Sequence, residues 1–147
     1  MSGASLGKTN EAVVRRECKE MWHSDGDLDA VSELVAEDFV YTNPGLSATV
    51  RGPADYRAFV ETFRDAFSNV DMHIEETVVQ GDAVVARFTT RATHTGAFMG
   101  IDPTNQDIEV AGLLIDHLDG GKISERHVVD NLLGLFEQLG AVESPVE

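Results

Sequence analysis

Three polar side chains lie close together near the end of the chain, where one predicted element gives way to another. His127, Asp130 and Asn131 belong to the stretch "ERHVVDNLLG". The apolar pattern changes there from a period of two to a helical period, which predicts a strand followed by a helix. Carboxylate and imidazole groups are common general acids and bases in enzymes. The junction is therefore either a reaction site or only the polar end of a folded element.

Acid–base chemistry at this junction depends on the surroundings of each side chain. Burial in an apolar cavity raises the pKa of a carboxyl group, because it disfavours the charged form, and makes the carboxylate a better base near neutral pH. Histidine already titrates near pH 6.5. Asp130 can instead cap the following helix, since an Asp accepts backbone N–H bonds at a helix N terminus. His127 either brings an acid or donor into a cavity or fills space there.

The turn "DGGK" decides which side chains of the last two strands share a face. A two-residue turn of Gly120 and Gly121 would group His117 with Ser124, Arg126, Asp130 and several apolar residues. A three-residue loop that includes Asp119 is preferred, because it gives one mainly apolar face. It predicts that His117, Glu125 and His127 point toward a cavity, on a face shared with Leu113, Ile115, Ile123 and Val129.

The elements that must position these residues can be predicted from apolar spacing. A first helix, capped by Thr9 or Asn10, carries Val14, Cys18, Met21 and Trp22 on one face, and a short second helix follows Asp27. The extended piece "EDFVYTNPG" comes next. A third helix begins at Pro53 and presents a stripe of Tyr56, Phe59, Val60, Phe63 and Phe67. After Asn69, strands fit "MHIEETVVQ", "AVVARFTTRATH", "IEVAGLLIDHL" and "KISERHVVD", and a last helix ends at Gly140.

Helices followed by antiparallel strands predict an α+β domain, with a curved sheet wrapped by helices around an apolar cavity. The length of 147 residues suits one domain, expected over residues 9–141, with a disordered tail at 1–8 and a second tail at 142–147. No apolar run approaches the roughly 20 residues of a membrane span, and no signal peptide is recognised, so a cytoplasmic location is expected. Cys18 lies on an apolar stripe, which favours a buried, inert thiol over a nucleophile.

Charge narrows the range of partners. The chain has 26 Asp and Glu residues against 11 Lys and Arg residues, a formal net charge of -15. Nucleic acids and anionic membranes are bound through excess positive charge, so both are excluded as expected partners. Such acidity with so few lysines is expected of a protein adapted to high salt, and a mildly acidic bacterial cytosolic protein is the alternative.

Four blocks of the chain resemble a known family. They are "VVRRECKEMWHSDGDLDAVSELVAEDFVYTNPG", "THTGAFMGIDPT", "GGKISERHVVD" and "LLGLFEQLG". In order and approximate spacing they resemble the SnoaL-like polyketide cyclases, also called ester cyclases, of the NTF2-like superfamily. The resemblance implies a cone-shaped α+β barrel with a short C-terminal helix, a homodimer, and a hydrophobic small molecule as the partner. It also implies ring closure by intramolecular aldol chemistry with no metal or cofactor.

The resemblance also suggests roles for individual residues. The family's acidic residue precedes the "GL…LG" helix, where Asp130 matches it. If the spacing places Asn131 there instead, the pocket only binds, because an asparagine cannot act as a base. His127 stands where relatives often carry Trp, and Thr42 where they often carry His. His94 is expected to hold the long loop by hydrogen bonds. The predicted ligand-binding residues are Trp22, Tyr41, Phe59, Phe63, Phe98, Met99, Glu125 and Asn131.

Three hypotheses follow for the function. The first is a cyclase-like or isomerase-like enzyme in which Asp130, with His127 or His117, removes a proton beside a carbonyl group and a donor stabilises the enolate oxygen. The second is a domain of the same shape that binds a ligand without turnover. The third and weakest is an epoxide hydrolase that pairs Asp130 with Arg87 and Arg91. No metal is expected, because the histidines lack ligand spacing.

Overall fold

The computed structural model describes residues 3–143 as an α+β domain. The helices are α1 (Gly3–Met21), α2 (Val31–Leu34), α3 (Gly52–Ala66) and α4 (Leu132–Gln138), with short 3-10 turns at Leu28–Ala30 and Pro44–Leu46. The strands are β1 (Val35–Asn43), β2 (Ala48–Arg51), β3 (Phe67–Gln80), β4 (Ala83–His94), β5 (Asp107–Asp119) and β6 (Lys122–Asp130). The predicted α+β class is therefore confirmed.

The first helix is longer than its predicted cap allowed. It begins at Gly3, so the cap at Thr9 or Asn10 is wrong, and the part of the expected tail from Gly3 to residue 8 is helical. The buried face of α1 continues through Asn10 and Gly7 onto β3, where a Cβ placed on Gly7 would lie 3.1 Å from Val79 Cγ1. This contact with the sheet extends the helix. Residues 1–2 and 144–147 of the predicted tails lie outside the described residues.

One open sheet carries all six strands in the order β2-β1-β6-β5-β4-β3. Every neighbouring pair is antiparallel except β1 and β6, which are parallel, so the prediction of a fully antiparallel sheet needs this correction. The short edge strand β2 was not predicted. Register shifts in β3 and between β1 and β6 bend the strands, as β-bulges do, and α1 and α3 pack against the concave side.

The third helix forms as predicted over most of its length. Pro53 lies in its first turn, and Tyr56 and Val60 are buried on the face toward the sheet. Phe67, however, belongs to the next element: its extended backbone (φ -128°, ψ 137°) ends the helix and begins β3. The strand thus starts two residues before Asn69. Cys18 is fully buried in the same core, and burial raises the pKa of its thiol, as the prediction of an inert cysteine requires.

The last hairpin combines features of both predicted registers. Asp119 pairs with Lys122, so the turn contains only Gly120 and Gly121, and the preferred three-residue loop is wrong. The two glycines have φ angles of 60° and 83°, which a type I′ turn demands and other residues rarely adopt. The turn residues therefore favour the shorter connection.

A bulge then changes the pairing beyond the turn. Leu118 pairs with Ile123 but His117 pairs with Glu125, which leaves Ser124 as the extra residue. Beyond the bulge, the side chains share faces as the three-residue loop would have grouped them, because the extra residue reverses the facing of β6. The pairing itself differs from that prediction by two residues, since His117 pairs with Glu125 rather than with Ile123. His117, Glu125 and His127 do share a face, although Ile123, on the turn side of the bulge, is buried in the core instead.

That shared face is the convex one. Leu113, Ile115 and Val129 are 50%, 42% and 68% exposed, whereas the intervening Leu114 and Val128 are buried beneath the helices. The prediction that His117, Glu125 and His127 point into the cavity is therefore wrong. Both faces of this hairpin are rich in apolar residues, so the apolar pattern alone selected the wrong face.

Candidate active site

A cavity of about 300 Å³ lies between the concave side of the sheet, the helices α3 and α4, and Trp22, which directly follows α1. Helix α3 contributes the aromatic wall: Phe59 and Phe63 lie beside Trp22, with ring centroids 6.3 and 5.5 Å from the indole. The sheet contributes a second apolar wall that includes Phe88, Leu114 and Val128. Most of the lining is thus apolar, as in pockets that bind hydrophobic small molecules.

Asp130 brings a carboxylate into this apolar space. It ends β6 on the concave face and is half-buried in the cavity wall. Burial raises the pKa of its carboxyl group above the ordinary 3.8, and the hydrogen bond from Asn43 opposes that shift. The Asn43 Nδ2 donates to Asp130 Oδ1 over 3.3 Å. The carboxylate is therefore positioned and tuned as a general base would be.

Asn131 settles which residue caps the last helix. Its Oδ1 accepts a hydrogen bond of 2.9 Å from the Gly134 N–H, the N-cap geometry of α4. The capping role considered for Asp130 is therefore wrong, because the next residue performs it. Asn131 is not among the cavity-lining residues, so its predicted contact with a ligand has no support in this geometry. The acidic residue, rather than the amide, faces inward.

Gly112 makes room for the carboxylate. It pairs with Asp130 across β5 and β6, and a Cβ placed on it would lie 2.7 Å from Asp130 Cβ and 2.6 Å from Phe88 Cζ. Both distances are too short for a real contact. A glycine inside a strand often marks such a close approach. The glycine at position 112 was therefore the sequence signal that could have indicated this contact.

Tyr41 and Asn43 place two further polar groups beside Asp130. They are two residues apart on β1, so their side chains share its concave face. The Asn43 Oδ1 accepts from the Gly45 N–H (3.1 Å), which orients the amide so that its Nδ2 faces Asp130 and lies 3.5 Å from Tyr41 Oη. Sequence reasoning missed Asn43. Its position two residues after a pocket tyrosine and just before Pro44 was the only signal.

The Tyr41 hydroxyl is suited to donate a hydrogen bond into the cavity. Burial raises its pKa to about 12, so the hydroxyl keeps its proton near neutral pH. Within the described part of the chain, its hydrogen-bond contact is with the Asn43 amide, which donates to the oxygen. The O–H hydrogen is thus free for a ligand. A carboxylate and a neutral donor therefore flank the same amide group.

A buried ionic cluster lies behind the cavity wall and reaches the cavity through Arg126. It consists of Glu17, Tyr56, Asp116 and Arg126. Arg126 is 1% exposed, and its Nε and Nη2 each donate to Asp116 over 2.7 Å. Its Nη1 donates to Tyr56 Oη over 3.2 Å and lies 2.6 Å from Glu17 Oε2, an ion pair without hydrogen-bond alignment. Sequence reasoning missed this cluster, because its members look like isolated polar residues on different elements.

The cluster fixes the aromatic wall. Tyr56 donates to Glu17 Oε1 over 2.5 Å and accepts from Trp22 Nε1 over 3.0 Å, so the indole is held from behind by buried charge. Burial raises the pKa of Glu17, and nearby Arg126 opposes that shift. Burial also raises the pKa of Tyr56 well above its ordinary value. The tyrosine is therefore a neutral link between the ionic cluster and the cavity.

The outward-facing histidines have partners at the surface. His127 Nε2 lies 2.6 Å from Glu125 Oε1, and His117 Nδ1 lies 3.7 Å from Asp82 Oδ1. Arg87 and Arg91 are also exposed on this side, 2.7 Å from Glu76 and 3.4 Å from Glu109. These residues cannot join Asp130 in one site. The expected pairing of Asp130 with Arg87 and Arg91, on which an epoxide-hydrolase mechanism depended, is wrong.

Six predicted ligand-binding residues do line the cavity: Trp22, Tyr41, Phe59, Phe63, Phe98 and Met99. Their contact with a ligand remains a prediction. His94 holds the long loop as expected, since its Nδ1 lies 3.0 Å from Thr104 Oγ1 and accepts from the Thr104 N–H over 3.2 Å. Within residues 3–143, no group of three His, Cys, Asp or Glu side chains gathers as metal ligands would. No helix of this same range is long and apolar enough to cross a membrane.

An open six-stranded sheet, with helices that enclose an apolar cavity on its concave side, defines the NTF2-like class of α+β proteins. Within that class the sequence matches one family over most of its length. Residues 12–139 match the SnoaL-like polyketide cyclase family, and the chain belongs to it. Among curated protein sequences, none matches the chain.

Solved structures agree with this assignment. A candidate SnoaL-like polyketide cyclase from Jannaschia sp. CCS1 is 24% identical, with a TM-score of 0.85 over 93% of this chain and 95% of that one. IdmH from Streptomyces antibioticus, a candidate polyketide cyclase, is 25% identical, with a TM-score of 0.77 over 89% and 98%. An LEH-like epoxide hydrolase from M. tuberculosis, 16% identical with a TM-score of 0.71 over 90% of each chain, shares the fold alone.

Proposed function

We propose that the protein is an acid–base catalyst that forms an enolate from a hydrophobic carbonyl compound, and that this enolate closes a ring by an aldol step or is reprotonated at another carbon, which shifts a double bond. The observation that carries the proposal is the Asp130 carboxylate, which lies in an apolar cavity beside the Tyr41 hydroxyl and is held by Asn43. Membership of the SnoaL-like polyketide cyclase family supports a polyketide as the substrate class.

The proposed reaction uses one carboxylate twice. Asp130 takes a proton from a carbon flanked by carbonyl groups, so the C–H bond breaks and its electron pair forms an enolate. The Tyr41 O–H donates a hydrogen bond to the carbonyl oxygen that gains negative charge. The enolate carbon then attacks a second carbonyl carbon of the same molecule, and the new alkoxide takes back the proton from Asp130. Each of these proton transfers uses groups of this chain.

The apolar walls support this mechanism in two ways. They exclude water, which strengthens the hydrogen bond from Tyr41 to the enolate oxygen and raises the basicity of Asp130. They also confine a flexible substrate in a folded conformation, so that its two reacting carbons lie close together. The aromatic residues Trp22, Phe59 and Phe63 supply that surface.

Proton transfer can be tested without the natural substrate. The two-ring ketone 2-tetralone carries acidic protons beside its carbonyl group, and NMR follows their exchange in D₂O. We expect the wild-type protein to accelerate this exchange and D130N to lose about a hundredfold or more of that acceleration, because removal of a general base costs such factors. H127Q is the matched control: His127 is exposed on the convex face, so its rate should equal that of the wild type.

The outcome decides between the two functions that the cavity supports. Equal acceleration by wild type and D130N would remove the carboxylate from the mechanism. If the wild-type protein binds the three-ring ketone 9-fluorenone but exchanges no proton of 2-tetralone, a binding function without turnover is favoured instead. Binding can be followed by quenching of Trp22, the one tryptophan of the chain, which lines the cavity.

We also propose that two copies pair through the convex face of the sheet. Leu113, Ile115 and Val129 leave an apolar patch exposed there. Apolar patches of this kind commonly mark protein interfaces, and a second copy of the chain would bury it symmetrically. Such a homodimer would leave the cavity, on the concave side, accessible to a ligand.

A further inference from the structure

A tight turn at the cavity carries a methionine in a conformation that methionine rarely adopts. Phe98 and Ile101 exchange two backbone hydrogen bonds, of 2.9 and 2.8 Å, and enclose a turn of Met99 and Gly100. The φ angles of these two residues are 48° and 80°. Turns with two positive φ angles favour Asn, Asp or Gly first, because in other residues the Cβ approaches the following carbonyl oxygen. The backbone conformation of this turn therefore disfavours methionine at position 99.

The position of Met99 at the cavity indicates what its side chain could do there. Met99 is 61% exposed although it lines the cavity, so it lies at the mouth rather than in the core. The turn is anchored behind it, since the buried Phe98 ring lies 5.1 Å from Phe67 and 6.1 Å from Phe63 between centroids. Strain at a non-glycine residue commonly accompanies a functional role of its side chain.

We infer that Met99 is a ligand-contacting residue that closes the cavity mouth over a bound hydrophobic ketone. The inference rests on the proposed function only in that the cavity must bind such a compound. A flexible thioether packs well against the face or edge of an aromatic ring. The exposed apolar surface of Met99 becomes buried when a ring lies beneath it, which adds affinity. The strained turn thus lowers folding stability but places an apolar side chain where it can bind a ligand.

Two substitutions separate strain from contact. M99N places a residue that tolerates positive φ at the turn and removes the apolar side chain, whereas M99L keeps an apolar side chain of similar size and keeps the strain. Without ligand, we expect the melting temperature of M99N to rise by about 2 to 4 °C and that of M99L not to rise. The Kd for 9-fluorenone, measured by Trp22 quenching, should increase about fivefold or more in M99N and stay within about twofold in M99L.

Each result has a definite meaning. A more stable M99N that binds 9-fluorenone more weakly supports the inference, and faster dissociation in stopped-flow measurements strengthens it, because a closing residue slows release. Wild-type affinity in M99N would overturn this inference and leave the proposed function standing. A lower melting temperature in M99N would overturn the assignment of strain. Failure of the wild-type protein to bind 9-fluorenone would overturn the inference together with the proposed binding cavity.

Discussion

Replacement of Arg126 by Met should destabilise the fold far more than loss of a surface arginine would. The guanidinium is 1% exposed and lies within 2.7 Å of carboxylate oxygens of both Asp116 and Glu17. Its removal leaves two buried carboxyl groups without a counter-charge. Breaking a buried ion pair by removing one partner costs about 3 to 5 kcal/mol, and two carboxylates depend on this one cation. We therefore expect R126M to lose about 4 kcal/mol or more of unfolding free energy.

Two matched variants show whether burial is the cause. R91M removes an arginine from β4 whose pair with Glu109 is exposed, so we expect a loss below about 1 kcal/mol. E17Q keeps the two hydrogen bonds between Arg126 and Asp116 and retains an oxygen that can accept from Tyr56. It also removes a carboxyl group whose charged form is disfavoured by burial. We therefore expect E17Q to lose less unfolding free energy than R126M.

The dependence on pH provides a second test with a definite sign. In the wild type the pKa of Glu17 is raised above its ordinary 4.5, so the folded state binds this proton more tightly than the unfolded state. The resulting stability is complete below pH 4.5 and is lost as the pH rises through the raised pKa. E17Q should remove this contribution to the dependence of the unfolding free energy on pH. In R126M the charge that opposes the raised pKa of Glu17 is lost, so this carboxyl group takes up a proton more readily and the destabilisation should be smaller at pH 5 than at pH 8.

Urea unfolding followed by Trp22 fluorescence gives the unfolding free energy of the wild type, R126M, R91M and E17Q. The same signal serves for all four proteins, because the chain has one tryptophan. The reasoning is refuted if R126M at pH 8 lies within about 1 kcal/mol of R91M. It is equally refuted if the loss in R126M is the same at pH 5 and pH 8. Either result would mean that the cluster is more hydrated than its burial indicates.

Three further predictions concern the cavity and the convex face. Exchange of 2-tetralone protons should increase with pH through the raised pKa of Asp130, above its ordinary 3.8, because only the carboxylate accepts a proton; a pH-independent rate would contradict this role. G112A should reduce the exchange rate at least tenfold, because its Cβ would lie 2.7 Å from Asp130 Cβ and displace the carboxylate, and an unchanged rate would contradict that positioning. V129E should convert the proposed homodimer to a monomer in sedimentation velocity without changing 2-tetralone exchange, since Val129 is 68% exposed on the convex face.

Much of the fold could be predicted because its elements have strong local signals. Two strands, β4 and β6, have the predicted ends, and α3 starts near the predicted Pro53. The errors occur where tertiary contact overrides local preference. Packing against β3 extends α1 past its expected cap, and the edge strand β2, only four residues long, forms by pairing with β1. Neither contact has a local sequence signal.

The candidate site was predictable only in part. Asp130 could be selected because a polar residue at a strand–helix junction is a common place for chemistry, but Asn43 and Gly112 act through contacts between strands distant in sequence. Glu17 was hidden for a related reason. Glu17 is next to Cys18 in α1, and a lone glutamate in a helix is usually expected to face solvent. Its buried partner, Arg126, is 109 positions later in the chain, so no local signal connects the two residues.

The same partner explains why the wrong face of the last hairpin was expected to line the cavity. Asp116 and Arg126 interrupt the apolar residues of the concave face, so alternation alone favours the opposite face, where Leu113, Ile115 and Val129 are joined by titratable residues. In the fold, the two opposite charges pair directly across the strands and compensate much of each other's desolvation, so a polar pair can occupy the core. The convex face consequently keeps apolar side chains that no described residue covers well, and it is this uncovered surface that favours a second copy of the chain as its partner.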